Sequence, residues 1–149
     1  MVLDLRRVSR PGVDRDPRNL SSLYNLARTL AKVNDPQAKV YLERFDALQR
    51  AEKLSDRVQT LNNFALEAAN AHNWAQAIEQ LQESINTCGQ CKQLAVLHRN
   101  LGLIYARKGD IEGSQRELKT ALQSDPNDAD AQRALHVLRD IPSSVTSPK

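Results

Sequence analysis

Residues 101–128, LGLIYARKGDIEGSQRELKTALQSDPND, decide how this chain folds. Working outward from them, Leu94, Leu97, Leu101, Ile104 and Tyr105 recur at three- and four-residue steps, which is the stripe of an amphipathic helix and not the alternation of a strand. Lys108-Gly109-Asp110 then supplies a glycine that ends one helix and an acid that caps the next. Ser114, Leu118 and Ala121 continue the pattern on a second helix, and Asp125-Pro126-Asn127-Asp128 closes it and opens another. The stretch is therefore a helical hairpin with one apolar face on each rod.

The hairpin recurs. Leu61-Asn62-Asn63-Phe64-Ala65 aligns with His98-Arg99-Asn100-Leu101-Gly102, and the same shift carries Ala68 onto Tyr105, Trp74 onto Ile111, Ala77 onto Ser114, Leu81 onto Leu118 and Ser84 onto Ala121. A weaker copy lies upstream, where Leu23, Leu26, Ala27 and Leu30 match Leu61, Phe64, Ala65 and Ala68, and Ala38 and Leu42 match Ala77 and Leu81. These periods predict helices over 20–33, 36–53, 57–71, 74–86, 93–108 and 111–123, with a last one over 129–139. Surplus residues fall at Cys88–Lys92 and around Gln49–Ser55, where the helix runs on. Small residues at Ala27, Ala65 and Gly102, opposite Ala77, Ser84, Ser114 and Ala121, mark where paired helices approach closely. Phe64, Leu81, Leu101, Tyr105 and Leu118 are expected to fill the spaces between successive hairpins.

Leu101-Gly102, Tyr105, Gly109-Asp110, Ser114, Leu118, Ala121 and Asp125-Pro126 resemble a tetratricopeptide repeat, with His98 standing where that family has a large residue. The resemblance spans about residues 16–139 and weakens toward the first copy. It implies an all-α fold, a right-handed solenoid of antiparallel hairpins. The expected divisions are a leader at 1–19, repeats at 20–56, 57–92 and 93–128, a capping helix at 129–140 and a tail at 141–149. Asp16-Pro17-Arg18-Asn19 mimics the Asp125–Asp128 junction, so the leader reads as the remnant of a preceding repeat.

Composition narrows the function. Of 149 residues 40% are hydrophobic and 26% charged, with a net charge of +3 scattered along the chain, too weak a bias to imply nucleic acid. No run is apolar enough for a membrane helix, and Met1 to Arg7 lacks the apolar centre of a secretory signal. His72, His98 and His136 are dispersed, and no phosphate loop, catalytic acid pair or nucleophile triad is present, so neither an enzyme nor a cofactor or metal site is expected. Cys88-Gly89-Gln90-Cys91 reads first as a pair of loop cysteines, then as a structural or labile disulfide, and last as half a metal site. Trp74 is expected to cover the turn of its hairpin, and the arginines from Arg6 to Arg18 to form a solvated leader.

The expected activity is binding. In the resembled family the first helices line a concave surface, which here nominates Tyr24, Arg28 and Lys32, then Gln59, Asn62, Leu66 and Asn70, then Val96, Arg99, Leu103 and Arg107, with Arg133 and Val137 on the cap. The set is polar to basic with apolar spots and holds no acid, so an acidic peptide with apolar anchors would complement it. The carboxylate clamp of chaperone-binding members is not reproduced. A non-enzymatic adaptor is the first reading, an assembly domain of a larger exported protein the second, and nucleic-acid binding the third.

Overall fold

The computed structural model describes residues 16–141, and every regular element among them is helical. The elements are α1 (Leu20–Lys32), α2 (Gln37–Asn70), α3 (Trp74–Cys88), α4 (Leu94–Lys108), α5 (Ile111–Ser124) and α6 (Ala129–Arg139). The first fifteen residues of the expected leader and the tail from Pro142 lie outside the described residues.

Three turns share one backbone geometry. Asn34, His72 and Gly109 each take a positive φ, of 55°, 60° and 94°, and each precedes an Asx residue. The amides of Asp35, Asn73 and Asp110 donate to the carbonyls of Leu30, Ala68 and Tyr105 at 3.0, 2.8 and 2.9 Å, closing the preceding helix. Their side chains then accept from the amides of Gln37, Gln76 and Gly113 at 2.8, 3.4 and 2.8 Å, opening the next. The Asp-Pro junctions at Asp16 and Asp125, outside these turns, also match. Asp16 Oδ1 accepts from the Arg18 amide and Asp125 Oδ1 from the Asn127 amide, both at 3.0 Å, and Asn19 and Asp128 cap the helices that follow.

The chain forms two compact units that meet within α2, at Lys53 and Leu54. In the first, Leu23, Leu26 and Leu30 are buried against Ala38, Tyr41, Phe45 and Leu48, and the Tyr24 and Phe45 rings lie 5.4 Å apart. In the second, Val58, Ala65, Ala69, Ala77, Leu81, Leu97, Leu101 and Ile104 share one core, and Leu118, Ala121, Ala131, Leu135 and Leu138 another. The small positions sit where the sequence puts them. Ala27 and Ala65 are buried, and a Cβ on Gly102 would come within 2.9 Å of Leu118 Cγ and 3.2 Å of the Ser114 carbonyl. Ser84, also buried, donates its hydroxyl to the Val58 carbonyl at 3.0 Å.

Three features differ from the sequence reading. First, the helices expected at 36–53 and 57–71 are one unbroken helix, α2, of 34 residues. Nothing between Lys53 and Arg57 breaks a helix, since the segment has neither glycine nor proline, and Ser55 alone is too weak a stop. Residues 50–57 are exposed on every side. Second, Phe64 is half exposed and fills no space between hairpins. The shift that aligns Ala65 with Gly102 sets Thr60, Phe64 and Glu67, all exposed, against Leu97, Leu101 and Ile104, all buried. A face so rich in polar groups gains little from burial. Third, Cys88 and Cys91 are joined in a disulfide and are not free loop thiols. Cys88 ends α3 inside the core, and the turn at Gly89 (φ 60°) brings Cys91 back against the same cluster.

Candidate interaction surface

In the second unit, the part of α2 from Leu54 onward, α4 and α6 are joined by polar rungs. Asn100 Nδ2 donates to Asn62 Oδ1 at 2.8 Å, and Gln93 Nε2 to Gln59 Oε1 at 3.5 Å, tying α4 to α2. Arg99 Nη1 reaches both carboxylate oxygens of Asp128, at 3.1 and 3.0 Å, tying α4 to the start of α6. Asp128 Oδ1 also accepts from the amides of Asp130 and Ala131, so one carboxylate caps a helix and anchors it to its neighbour.

The expected binding residues divide between the units. Tyr24, Arg28 and Lys32 lie exposed on α1 in the first unit. In the second, Leu66, Asn70, Leu103, Arg107 and Arg133 are exposed, as are Gln59, Val96 and Val137. Two nominated residues are engaged within the fold. Asn62 is 8% exposed and bonded to Asn100, so it is a rung between helices and not a groove donor. Arg99 is held by Asp128, with Asp130 Oδ2 a further 3.7 Å away, which spends its charge inside the protein. Arg133 also pairs with Asp130. The guanidinium of Arg107 lies 5.5 Å from the centre of the Trp74 ring, and His72 meets that ring edge-on at 5.3 Å. Trp74 thus packs over its turn and also holds a cation in place.

Exposed apolar side chains mark the outer face of these three helices. Leu66 on α2, Val96 and Leu103 on α4 and Val137 on α6 are 38%, 37%, 37% and 63% exposed. Val96 and Leu103 are two turns apart, so they share one side of α4 with Arg107 one turn further on. The first unit has its own depression of about 280 Å³, between α1 and the start of α2, lined by Tyr24, Arg28, Ala31, Ala38, Lys39 and Leu42. Its α2 wall went unrecognised in the sequence, because Ala38 and Leu42 match residues that are buried in the later copies.

Among the described residues, Asp128 and Tyr105 titrate away from their ordinary values. Burial pushes the Asp128 carboxyl up, but the Ala131 amide and the Arg99 guanidinium outweigh it and hold the group below the usual carboxylate range. Burial raises the Tyr105 hydroxyl, helped by the Glu117 and Asp110 carboxylates. His98 Nδ1 lies 2.7 Å from Glu117 Oε2 between α4 and α5, a part-buried contact internal to the hairpin. Among the described residues no group of His, Cys, Asp and Glu is arranged to hold a metal ion, and no helix is long and apolar enough to cross a membrane. Compared with known proteins, the chain matches no family model and no curated sequence.

Proposed function

We propose that the chain is a tetratricopeptide-like module, a right-handed stack of helical hairpins without catalytic activity, that binds a segment of another polypeptide. Three left-handed turns at Asn34, His72 and Gly109, spaced like the sequence repeat, support the repeat architecture, as do the small residues at Ala65 and Gly102. The observation that carries the binding reading is that Leu66, Leu103 and Val137 are exposed, one on each of three helices already tied together by Asn62–Asn100 and Arg99–Asp128. A face held rigid in this way loses little conformational entropy when a ligand settles on it. Arg107, steadied by Trp74, adds a cation beside Leu103, so the favoured ligand is a peptide with apolar anchors and acidic side chains.

The test is affinity capture from native lysate with wild type and a Leu103→Asp, Arg107→Glu variant, leaving Arg99 intact because it supports α6. Specific proteins retained by wild type and lost with the folded variant are expected. Identical captures by both would remove the reading. The Cys88–Cys91 disulfide favours a second reading, an assembly part of a larger exported protein, since such bonds persist in oxidising compartments. Alkylation of the protein directly from its native cells decides it, with both thiols blocked if they are reduced there. Nucleic-acid binding draws the least support, because Arg99 and Arg133 are matched by Asp128 and Asp130.

A further inference from the structure

The three hairpins share a register but not a fate. Leu42, Leu81 and Leu118 occupy the same place in successive copies; Leu81 and Leu118 are fully buried, whereas Leu42 is 44% exposed. Leu118 is buried between Gly102 of α4 and α6, whose Ala131, Leu135 and Leu138 form one cluster with it and with Ala121, and Ala106 packs at its edge. The counterpart of Ala106 is Ala31, four residues beyond Ala27 as Ala106 is beyond Gly102, and Ala31 is exposed. Where α6 covers the α4–α5 hairpin, the α1–α2 hairpin therefore has a bare depression of about 280 Å³, floored by Ala31, Ala38 and Leu42 and walled by Tyr24. The chain's own copy of a covering helix carries Thr60, Phe64 and Glu67 where α4 carries Leu97, Leu101 and Ile104, and so lacks the apolar stripe that such a seat requires.

The rim has one sign. Arg28 and Lys39 flank the depression, and none of its lining residues is acidic. Lys39 pairs with Glu43, at 3.9 Å with both side chains largely exposed, a pair too solvated to cancel the charge. Arg28 makes no ion pair among the described residues.

We propose that this bare face of the first hairpin is a seat for an amphipathic helix of a partner protein, carrying alanine and leucine on its apolar side, as α6 does, and glutamate or aspartate along its flanks. The proposal rests on the reading of the chain as a protein-binding module and adds a site separate from the α2–α4–α6 face. The apolar side of the partner helix enters between α1 and α2, and its flanking carboxylates meet Arg28 and Lys39.

The probe is a stapled, fluorescein-labelled helical peptide of the length of α6, 11 residues, bearing alanine and leucine at the spacing of Ala131, Leu135 and Leu138 and glutamate elsewhere. A twin has lysine in place of glutamate. Anisotropy titrations use the full chain, the Arg28→Glu, Lys39→Glu variant and an Ala31→Trp variant that fills the depression. Expected are at least about tenfold tighter binding of the acidic peptide than of its twin, weakening with salt, and about tenfold loss in either variant. Amide shifts in the bound protein should fall within residues 24–42. Equal binding of both peptides, full binding by both variants, or shifts confined to Leu103, Arg107 and Val137 would each overturn this seat; the last result would leave the other face, and the general reading, in place. Concentration-dependent self-association without peptide, abolished by Arg28→Glu with Lys39→Glu, would also overturn it by assigning the face to a second copy of the chain.

Discussion

Adding even a methyl group at Gly102 sets it 2.9 Å from Leu118 Cγ, and Leu118 is fully buried. Gly102→Leu should therefore destabilise by about 1–3 kcal/mol through overpacking, and Leu118→Ala in the same chain should recover part of the loss. Thermal unfolding of the two single variants and the double variant checks this. Gly109 resists substitution for a different reason. Nothing lies within 4 Å of a Cβ there, but its φ of 94° disfavours any side chain, so Gly109→Ala should cost about 1 kcal/mol without steric conflict. Asp128 carries two duties, and Asp128→Ala should lower stability by about 1–3 kcal/mol by uncapping α6 and stranding Arg99. Because its folded carboxyl titrates below the unfolded value near 3.8, its contribution is complete above that pH and is lost as pH falls through the folded value. Denaturant midpoints measured from pH 6 downward should accordingly fall less steeply in Asp128→Ala than in wild type.

At the scale of elements, α2 is where sequence and structure part. The turn residues Asn34-Asp35, His72-Asn73 and Gly109-Asp110 were legible because their chemistry is local, and the helix ends they set follow. Whether a helix stops at Ser55 depends instead on what its two halves can bury, which no local signal reports. The clue was present in Thr60 and Glu67, polar residues at the places where α4 has Leu97 and Ile104. Ser55→Pro separates the alternatives. In an unbroken helix it should cost about 3 kcal/mol and reduce helical circular dichroism, whereas a proline at the first position of a helix beginning there would be tolerated. The Cys88–Cys91 bond closes a small loop between α3 and α4, so Cys88→Ser with Cys91→Ser should cost about 2 kcal/mol in unfolding free energy. Pairing of these cysteines was unreadable from spacing, because it depends on Gly89 turning the chain back toward the core.

At the scale of the molecule, the nominated surface is partly redistributed. The list of outward residues came from the tetratricopeptide resemblance, and Leu66, Leu103, Arg107 and Arg133 lie exposed. What periodicity could not report is which polar residues spend themselves on neighbours. Asn62 and Arg99 have Asn100 and Asp128 within reach, whereas Asn70 and Arg107 stay exposed. The remaining face combines apolar side chains with a single steadied cation, so its ligand should be held by apolar anchors first and charge second. The most direct measurement places a photo-crosslinking benzophenone amino acid at Leu103, and as a control at the exposed Lys119 on α5, and irradiates each protein in its native lysate. Discrete protein adducts are expected from position 103 that vanish with Arg107→Glu, and none from position 119. The same adducts from both positions, or none from position 103, would contradict the binding reading.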